Sequence, residues 1–346
     1  IMNELSKPPV FLIGQTLSQL ESFAISLGCH EFRGRQLFDW LYSKQVDDYD
    51  KMSNLSINFR EQLKEIDVHP LKLMNKNISS SKKTQKYLFQ LNNGQLIESV
   101  LMKEGERVTA CLSTQVGCAV DCDFCATAKM GFVQNLTSGE ILDQYLHLQK
   151  ISKHRITNIV FMGMGEPFLN YDNTIESANL LHHPKGINMG AWRITISTAG
   201  IIRKINQYTK EGHPYKLAVS LNASNELQRL KTMPITKSNQ FKDLINSSKN
   251  YTLQSKKKIT FEYVMLSNIN DNPDDAKALI RQLSSINCKL NLIPYNEING
   301  DYKRPSNEKI DNFLKILVNA PFPVTIRWSK GQEIDAGCGQ LATTFA

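Results

Sequence analysis

From Val108 onward the chain repeats one pattern, a short apolar run of β character followed by a stretch at helical spacing. The runs are Val108–Ser113, Asn158–Phe161, Arg193–Ser197, Leu217–Leu221, Ile259–Met265, Leu290–Ile293 and Val324–Ile326. Runs this short and this apolar suit strands buried on both faces. Their alternation with helices implies a parallel sheet whose ligands sit at the strand carboxyl ends. The helices carry signals of their own. Thr137 and Glu140 make a capping box ahead of Ile141, Leu142, Tyr145 and Leu146. Pro273 opens a helix with Ala276, Leu279, Ile280 and Leu283 at i, i+3, i+4 and i+7, and Ile310, Phe313, Leu314 and Leu317 repeat that spacing. About six such repeats predict an α/β fold, a partial (β/α)6 barrel open on one side.

Ahead of the barrel, residues 16–66 read as helical. Thr16 can cap a helix carrying Leu17, Leu20 and Phe23, and Arg35 to Tyr42 offers a second apolar face through Leu37, Trp40 and Leu41. Lys86–Leu91 and Gln95–Met102 read as two strands around Asn92-Asn93-Gly94, a turn that tolerates positive φ. A boundary near residue 95 then divides a helical accessory domain with its connecting β-hairpin (1–95) from the barrel and a C-terminal segment (96–346).

The chain has 346 residues, 41% hydrophobic and 21% charged, enough apolar content for a packed core and too much for wholesale disorder. Its formal net charge of +8 favours a polyanionic partner such as nucleic acid, although a solvated basic surface explains charge alone equally well. No acidic residue falls between Val68 and Ile97, where Lys72, Lys76, Lys82, Lys83 and Lys86 cluster; this is the expected RNA face, with Arg33, Arg35, Trp40 and Tyr87 as companions. No apolar run approaches the roughly 18–20 residues of a membrane span. Val10–Gly14 is too short for a signal peptide, so the expected location is the cytoplasm. Seven cysteines, an odd number, argue against a disulfide framework and for metal or catalytic use.

Three of them form Cys118-Ala-Val-Asp-Cys122-Asp-Phe-Cys125, a C-x3-C-x2-C run just after the first barrel strand. Thiolates hold iron–sulfur clusters, and a [4Fe–4S] cube normally takes four, so three leave one iron open to chelate the amino and carboxylate groups of S-adenosylmethionine (SAM). Zinc would want a fourth ligand and usually C-x2-C pairs, and unrelated core cysteines are the other alternative. Gly163-Met-Gly165-Glu166 follows an apolar strand and would let backbone approach a ligand; a plain β–α turn is its bland reading.

Gln115-Val-Gly-Cys118-Ala-Val-Asp-Cys122-Asp-Phe-Cys125-Ala-Thr-Ala, then Met162-Gly-Met-Gly-Glu166-Pro, then Asp335-Ala-Gly-Cys338-Gly-Gln-Leu together resemble the RlmN/Cfr family of rRNA adenine methyltransferases. The similarity runs over nearly the whole chain, including Phe32-Arg-Gly-Arg-Gln-Leu-Phe-Asp-Trp40, and is nearer to the adenine-C2 branch that acts on 23S rRNA and tRNA. The resemblance implies a radical SAM enzyme with one [4Fe–4S] cluster that consumes two SAM per methylation. One methylates a cysteine; the other yields a 5′-deoxyadenosyl radical that takes hydrogen from that methyl group. The resulting carbon adds to the adenine ring, a base removes the ring proton, and a second cysteine releases the product as a disulfide forms. Carried over residue by residue, Cys338 is the methyl carrier, Cys111 the resolving cysteine and Glu98 the proton acceptor. Cys118, Cys122 and Cys125 hold the cluster, and Gly165, Glu166, Ser197, Ser220, Leu221, Asn222 and Asn296 contact SAM. The family usually reads Ser-Leu-His where this chain has Ser-Leu-Asn222, and Asn can still donate a hydrogen bond. By the same analogy the electron donor is a flavodoxin or ferredoxin. A monomer is expected, since no apolar surface stripe stands out.

Without the resemblance, Cys338 would read as structural or incidental, although its flanking glycines favour the mobile, exposed backbone that a shuttle requires, Cys111 as a small core residue and Glu98 as a solvent-facing strand carboxylate. Cys29 and Cys288 match no motif and read as packing residues. Three rival activities remain: adenine-C8 methylation, a radical SAM reaction on a non-RNA substrate, and an RNA-binding protein with a structural cluster.

Overall fold

The computed structural model describes residues 11–343; Val10 of the short apolar stretch lies outside them. The first helices are α1 (Leu17–Ser26), α2 (Phe32–Phe38) and α3 (Ile57–Leu63), with a π-helical turn at Asp39–Ser43. Thr16 caps α1 as expected, its hydroxyl accepting from Gln19 N while the Gln19 side chain accepts from Thr16 N. Leu20, Phe23, Leu37 and Leu41 are buried.

Three antiparallel strands follow, β1 (Leu71–Ile78), β2 (Thr84–Leu91) and β3 (Leu96–Glu104), then β4 (Arg107–Cys111). The β2–β3 turn is the expected one, with Gly94 alone of its residues at positive φ. Both strands of this hairpin belong to the same ten-stranded sheet, ordered β1-β2-β3-β4-β7-β8-β9-β10-β11-β12, so the sheet does not break at residue 95.

After β4 come the small ribbon β5 (Gln115–Gly117) and β6 (Phe132–Asn135), with α4 (Ala126–Lys129) between its strands. The repeats then run α5 (Ser138–Ile151), β7 (Asn158–Phe161), α6 (Tyr171–His182), β8 (Ile194–Thr198), α7 (Ile202–Glu211) and β9 (Lys216–Ser220). They continue with α8 (Glu226–Thr232), α9 (Phe241–Ser255), β10 (Ile259–Met265), α10 (Pro273–Leu283), β11 (Cys288–Pro294), α11 (Asn307–Leu317) and β12 (Val324–Ile326). Within the large sheet every pairing from β4 to β12 is parallel, and all seven expected runs are strands. The Thr137–Glu140 capping box is present on α5. Ala276, Leu279 and Leu283 of α10 and Ile310, Phe313 and Leu317 of α11 are the faces buried on the sheet.

Among the described residues, β12 pairs with β11 alone, so the barrel stays open. The segment after β12 crosses that opening. Lys330 meets Glu104 at 2.7 Å, Glu333 accepts from Ser80 N at 3.1 Å, and Ala342 N donates to Glu98 Oε2 at 3.1 Å. On another side the helical unit is tied to the barrel by charge. His69 is clamped between Asp143 of α5 (2.6 Å) and Asp47 (3.1 Å), and Lys150 also reaches Asp47 (2.6 Å). His147 lies 3.5 Å from the same Asp143 and 3.2 Å from the Leu71 carbonyl. Among the described residues, no helix is long and apolar enough to cross a membrane.

Candidate active site

Cys118, Cys122 and Cys125 sit on the loop between β5 and α4, above the carboxyl ends of the barrel strands. They line one chamber together with Gly165, Glu166, Ser197, Ser220, Asn222, Cys111 and Cys338. The chain brings ten of its thirteen expected site residues to one place from positions 111 to 338. The other three stand behind the lining. Leu221 has its side chain in the core, and its carbonyl accepts from Arg229. Asn296 donates from Nδ2 to the Cys338 carbonyl at 3.0 Å and accepts from Gln332 at 2.6 Å, so it holds the Cys338 turn.

Glu98 does not face solvent, contrary to the bland reading of its strand. It is fully buried and paired with Lys86 at 3.1 Å, and it accepts from Ala342 N. Burial pushes its carboxyl above the ordinary range, with Lys86 opposing.

The thiols fit a cluster better than a single ion. Ligands on one tetrahedral zinc, with bonds of about 2.3 Å to sulfur, stand roughly 3.8 Å apart. Among the described residues, the His, Cys, Asp or Glu ligand atoms that come three together within 4.8 Å of one another are those of His69, Asp143 and His147, not the three thiols. A spacing beyond that suits thiolates on three separate irons, the corners of a cube. Backbone N–H groups of Val120, Thr127 and Ala128 point at the Cys118 and Cys125 sulfurs, the setting in which thiolate charge is tolerated. Without that charge stabilised by metal, burial pushes the Cys118 thiol up to about 12. Phe124, beside Cys125, is buried against Val120, Ala199, Met233, Leu266 and Tyr295, a dry apolar wall.

Glu166 lies opposite. Gly165 holds φ +96°, and a Cβ there would lie 2.5 Å from Gln115 Cβ, so glycine is required for the turn that aims Glu166 inward. Its oxygens accept from Phe168 N (2.9 Å) and Ala199 N (2.6 Å). Burial nevertheless raises its pKa to about 7. A carboxylate fixed in this way can receive an ammonium group. Asn222 holds φ +55°, and its Oδ1 accepts from Val264 N at 2.9 Å while Nδ2 lies against Met233 Sδ. Asparagine tolerates that left-handed backbone better than most residues.

Cys338 is not on a loose turn. A Cβ on Gly337 would clash with Gln340 and Asn296, and Gly339 holds φ +83° while its carbonyl accepts from Ala126 N at 2.7 Å. The glycines permit tight docking beside the cysteine loop. The Cys338 sulfur acts electrostatically on both Cys125 and Cys111. Burial pushes the Cys111 thiol up to about 12, with Cys338 acting in the same direction and Arg327 against it.

Two arginines and a glutamate belong here that sequence reasoning missed. Arg327 follows β12, lines the chamber, and is held above its ordinary range by Cys338, against burial and with help from Glu262 and Cys111. Glu262 of β10 lines the chamber too. Arg229 of α8 is fully buried behind Cys122, its guanidinium donating to the carbonyls of Leu221, Ser220 and Ala199 and to Thr236 Oγ1. A charge at the end of the last strand run was a usable signal for Arg327. Nothing in the α8 sequence distinguishes Arg229. Cys29 packs partly buried and Cys288 fully buried against the core, away from this chamber.

The expected RNA face fares differently. Lys86 and Tyr87 are buried, and Tyr87 belongs to the core. Arg35 is paired with Glu21 and Glu31, Arg33 donates to Asn54, and Trp40 donates to the same residue. Lys72, Lys76, Lys82 and Lys83 remain exposed, and the first two lie on β1, the sheet's outer edge, where lysine blunts edge pairing.

Comparison with known proteins places the whole assembly. Residues 10–68 match the ribosomal RNA large subunit methyltransferase N-terminal domain, and residues 112–281 match the radical SAM superfamily. The chain is 43% identical over 331 residues to a Thermotoga sp. protein described as a probable dual-specificity RNA methyltransferase RlmN, covering 95% of this chain and 96% of that one. It is also 43% identical over 347 residues to the dual-specificity RNA methyltransferase RlmN of Lawsonia intracellularis, covering 96% and 97%. The crystal structure of a radical SAM methyltransferase from Sphaerobacter thermophilus superposes with a TM-score of 0.93 at 39% identity, over 96% of this chain and 99% of that one. Three cysteines around an open chamber and matches from the helical unit through the barrel lead to one assignment: the chain belongs to the RlmN family of radical SAM RNA methyltransferases.

Proposed function

We propose that this enzyme methylates C2 of adenosine in 23S rRNA, at the peptidyl-transferase centre, and in the anticodon loop of tRNA. The observation that carries the reading is that Cys338 and Cys111 share one chamber with the three thiols of the C-x3-C-x2-C loop. Adenine C2 is not nucleophilic, so an electrophilic methyl group cannot be transferred to it directly, and a carbon radical carried on the protein answers that difficulty.

When bound, the cluster on Cys118, Cys122 and Cys125 supplies the electron that cleaves SAM to the hydrogen-abstracting radical. Glu166 receives the SAM ammonium, and Gly165, Ser197, Ser220 and Asn222 shape the surrounding wall. Leu221 contributes through its backbone, and Asn296 fixes the Cys338 carbonyl. In the first half of the cycle the Cys338 thiolate takes a methyl group. In the second, that methyl group loses hydrogen and its carbon bonds to adenine C2. Glu98 takes the C2 proton, which requires the segment at Ala342 to lift from it or one water to bridge the gap. The Cys111 thiolate then attacks the Cys338 sulfur. The S–S bond forms as the S–C bond breaks; the electron pair goes to the CH2 carbon of the base, which takes up a proton to become the methyl group, the adduct's unpaired electron having returned to the oxidised cluster when the C2 proton was lost. Two SAM are consumed per turnover, the disulfide is reduced before the next, and the reducing equivalents come from a flavodoxin- or ferredoxin-type donor. We read the enzyme as a cytoplasmic monomer.

The test is mass spectrometry of nucleosides from rRNA and tRNA incubated anaerobically with reconstituted enzyme, SAM and reductant, in parallel with Cys338→Ala. 2-Methyladenosine that disappears in the variant supports the reading. 8-Methyladenosine keeps the cysteine chemistry and moves the target carbon. SAM cleavage without any methylated adenosine rejects the reading. Cys111→Ala is expected to retain a covalent RNA adduct, visible as co-purifying nucleic acid, because addition can proceed and release cannot.

A further inference from the structure

Cys338 lines a second cavity besides the chamber. This one opens at the other end of the barrel, where the strands begin: Arg107 is the first residue of β4, Asn158 of β7 and Lys216 of β9, and Lys289 is the second of β11. Its volume is about 1140 Å³, against about 170 Å³ for the chamber. The two cavities meet at Met162, Glu262, Arg327 and Gly337-Cys338, so the Cys338 turn is a partition with the cluster loop on one side and this mouth on the other.

The mouth is basic. Seven lysines and arginines line it against three glutamates, and among the described residues Lys330 alone of the seven has a carboxylate within ion-pair distance. The cations face one another: burial holds Lys216 below the ordinary lysine range, and Lys289 and Arg107 push it further down. Mutually repelling cations left without carboxylates are an arrangement that a polyanion would relieve. Trp192 stands 60% exposed at the rim, with the Arg193 guanidinium 4.3 Å and the Lys216 ammonium 5.7 Å from its ring. An exposed aromatic flanked by cations is a surface on which an unpaired base can stack. By contrast, the exposed lysines of β1 line neither of the two cavities that reach Cys338.

We propose that RNA enters through this mouth, its phosphates tracked by Arg107, Arg193, Lys216 and Lys289 and one unpaired base stacked on Trp192, so that the target adenosine meets Cys338 from the side opposite the cluster. The proposal rests on the RNA-methylation reading for its target, but not for its binding test. A cysteine-borne carbon must be reached by SAM at one time and by the base at another, and two approaches to one sulfur allow both.

The experiment measures binding of a fluorescent, unmodified tRNA transcript across a salt series. The variants are Lys216→Glu/Lys289→Glu, Lys216→Arg/Lys289→Arg and Lys72→Glu/Lys76→Glu, with melting temperature as the check on folding. The first variant is expected to bind about tenfold more weakly or worse, with the slope of log affinity against log salt shallower by about 1.4 to 1.8. The arginine variant is expected to bind like the wild type, and the β1 variant to lose little. Trp192→Ala, which removes no charge, is expected to weaken binding about fivefold or more while leaving the salt slope unchanged. Loss of binding in the β1 variant with none in the mouth variants would overturn the proposal, as would wild-type binding in all of them. Binding through the mouth by an enzyme that methylates no adenosine would uphold the entry route and refute the methylation reading.

Discussion

Among the described residues, no imidazole lines the chamber into which Cys118, Cys122 and Cys125 open, and its two carboxylates, Glu166 and Glu262, bond elsewhere, while His69, Asp143 and His147 point at one another. By residue type the second group is as good a metal ligand set as the first, and its atoms lie closer together. Yet the atoms that would face an ion are already engaged, His147 Nε2 against Asp143 and the Leu71 carbonyl among them. Asp143 accepts from Leu71 N and the two imidazoles, and His69 spends its second nitrogen on Asp47. A buried set that satisfies itself holds elements together. A set left unsatisfied around a cavity awaits something from outside.

The contrast can be broken at either end. The largest effect is expected from Cys122→Ala, which should strip iron from the reconstituted enzyme and abolish adenosine methylation, whereas His69→Ala/His147→Ala should keep both. Equal iron loss in the two variants would erase the distinction. Next is the other self-satisfied pair, Lys86 with Glu98. Lys86→Met leaves a buried carboxylate uncompensated and should cost about 3–5 kcal/mol in urea unfolding, with part recovered when Glu98→Gln is added. Asp143→Asn should cost about 1–3 kcal/mol by the same measurement without changing iron content. A rise in melting temperature on adding zinc, absent from His69→Ala, would show that the set is open after all.

The smallest effect is one of pH. Burial opposes charge on His69, but Asp143 and Asp47 outweigh it and raise its pKa. Burial likewise disfavours the Asp143 carboxylate, and His147 and His69 overcome it and lower its pKa. A raised imidazole stabilises the fold below its unfolded value and loses that contribution as pH climbs through the folded one. A lowered carboxylate stabilises above its unfolded value and loses that as pH falls through the folded one. The clamp therefore has a window bounded by Asp143 on the acid side and His69 on the alkaline side. Unfolding free energy of wild type minus His69→Gln should decline as pH rises past neutrality; a flat difference would mean that His69 is neutral in the fold.

The barrel was legible because each of its elements declares itself locally: seven apolar runs, capping at Thr137, apolar spacing at Ala276 and Ile310. The cysteine loop was legible because its ligands lie within eight residues. What was not legible is whatever depends on the far end of the chain. Glu98 alternates like a surface residue, and it is buried because the segment near Ala342 folds over it. Lys86 and Tyr87 looked like RNA contacts, but they face inward on a strand with both sides covered. Arg229 is ordinary in its helix and acquires meaning from carbonyls at 199, 220 and 221.

The segment that spans the open side of the barrel also orders events during synthesis. All seven parallel strands have left the ribosome before the stretch from Lys330 to Ala342 can reach Glu104, Ser80 and Glu98. Until then the growing chain has its cysteine loop and its basic mouth but no Cys338 between them. On the proposed reading it already has the thiols that would hold a cluster and the cations that would meet RNA, yet it lacks the Cys338 that would carry a methyl group. If Cys338 carries the methyl group as proposed, competence arrives in one late step, after the rest of the fold is available to receive it.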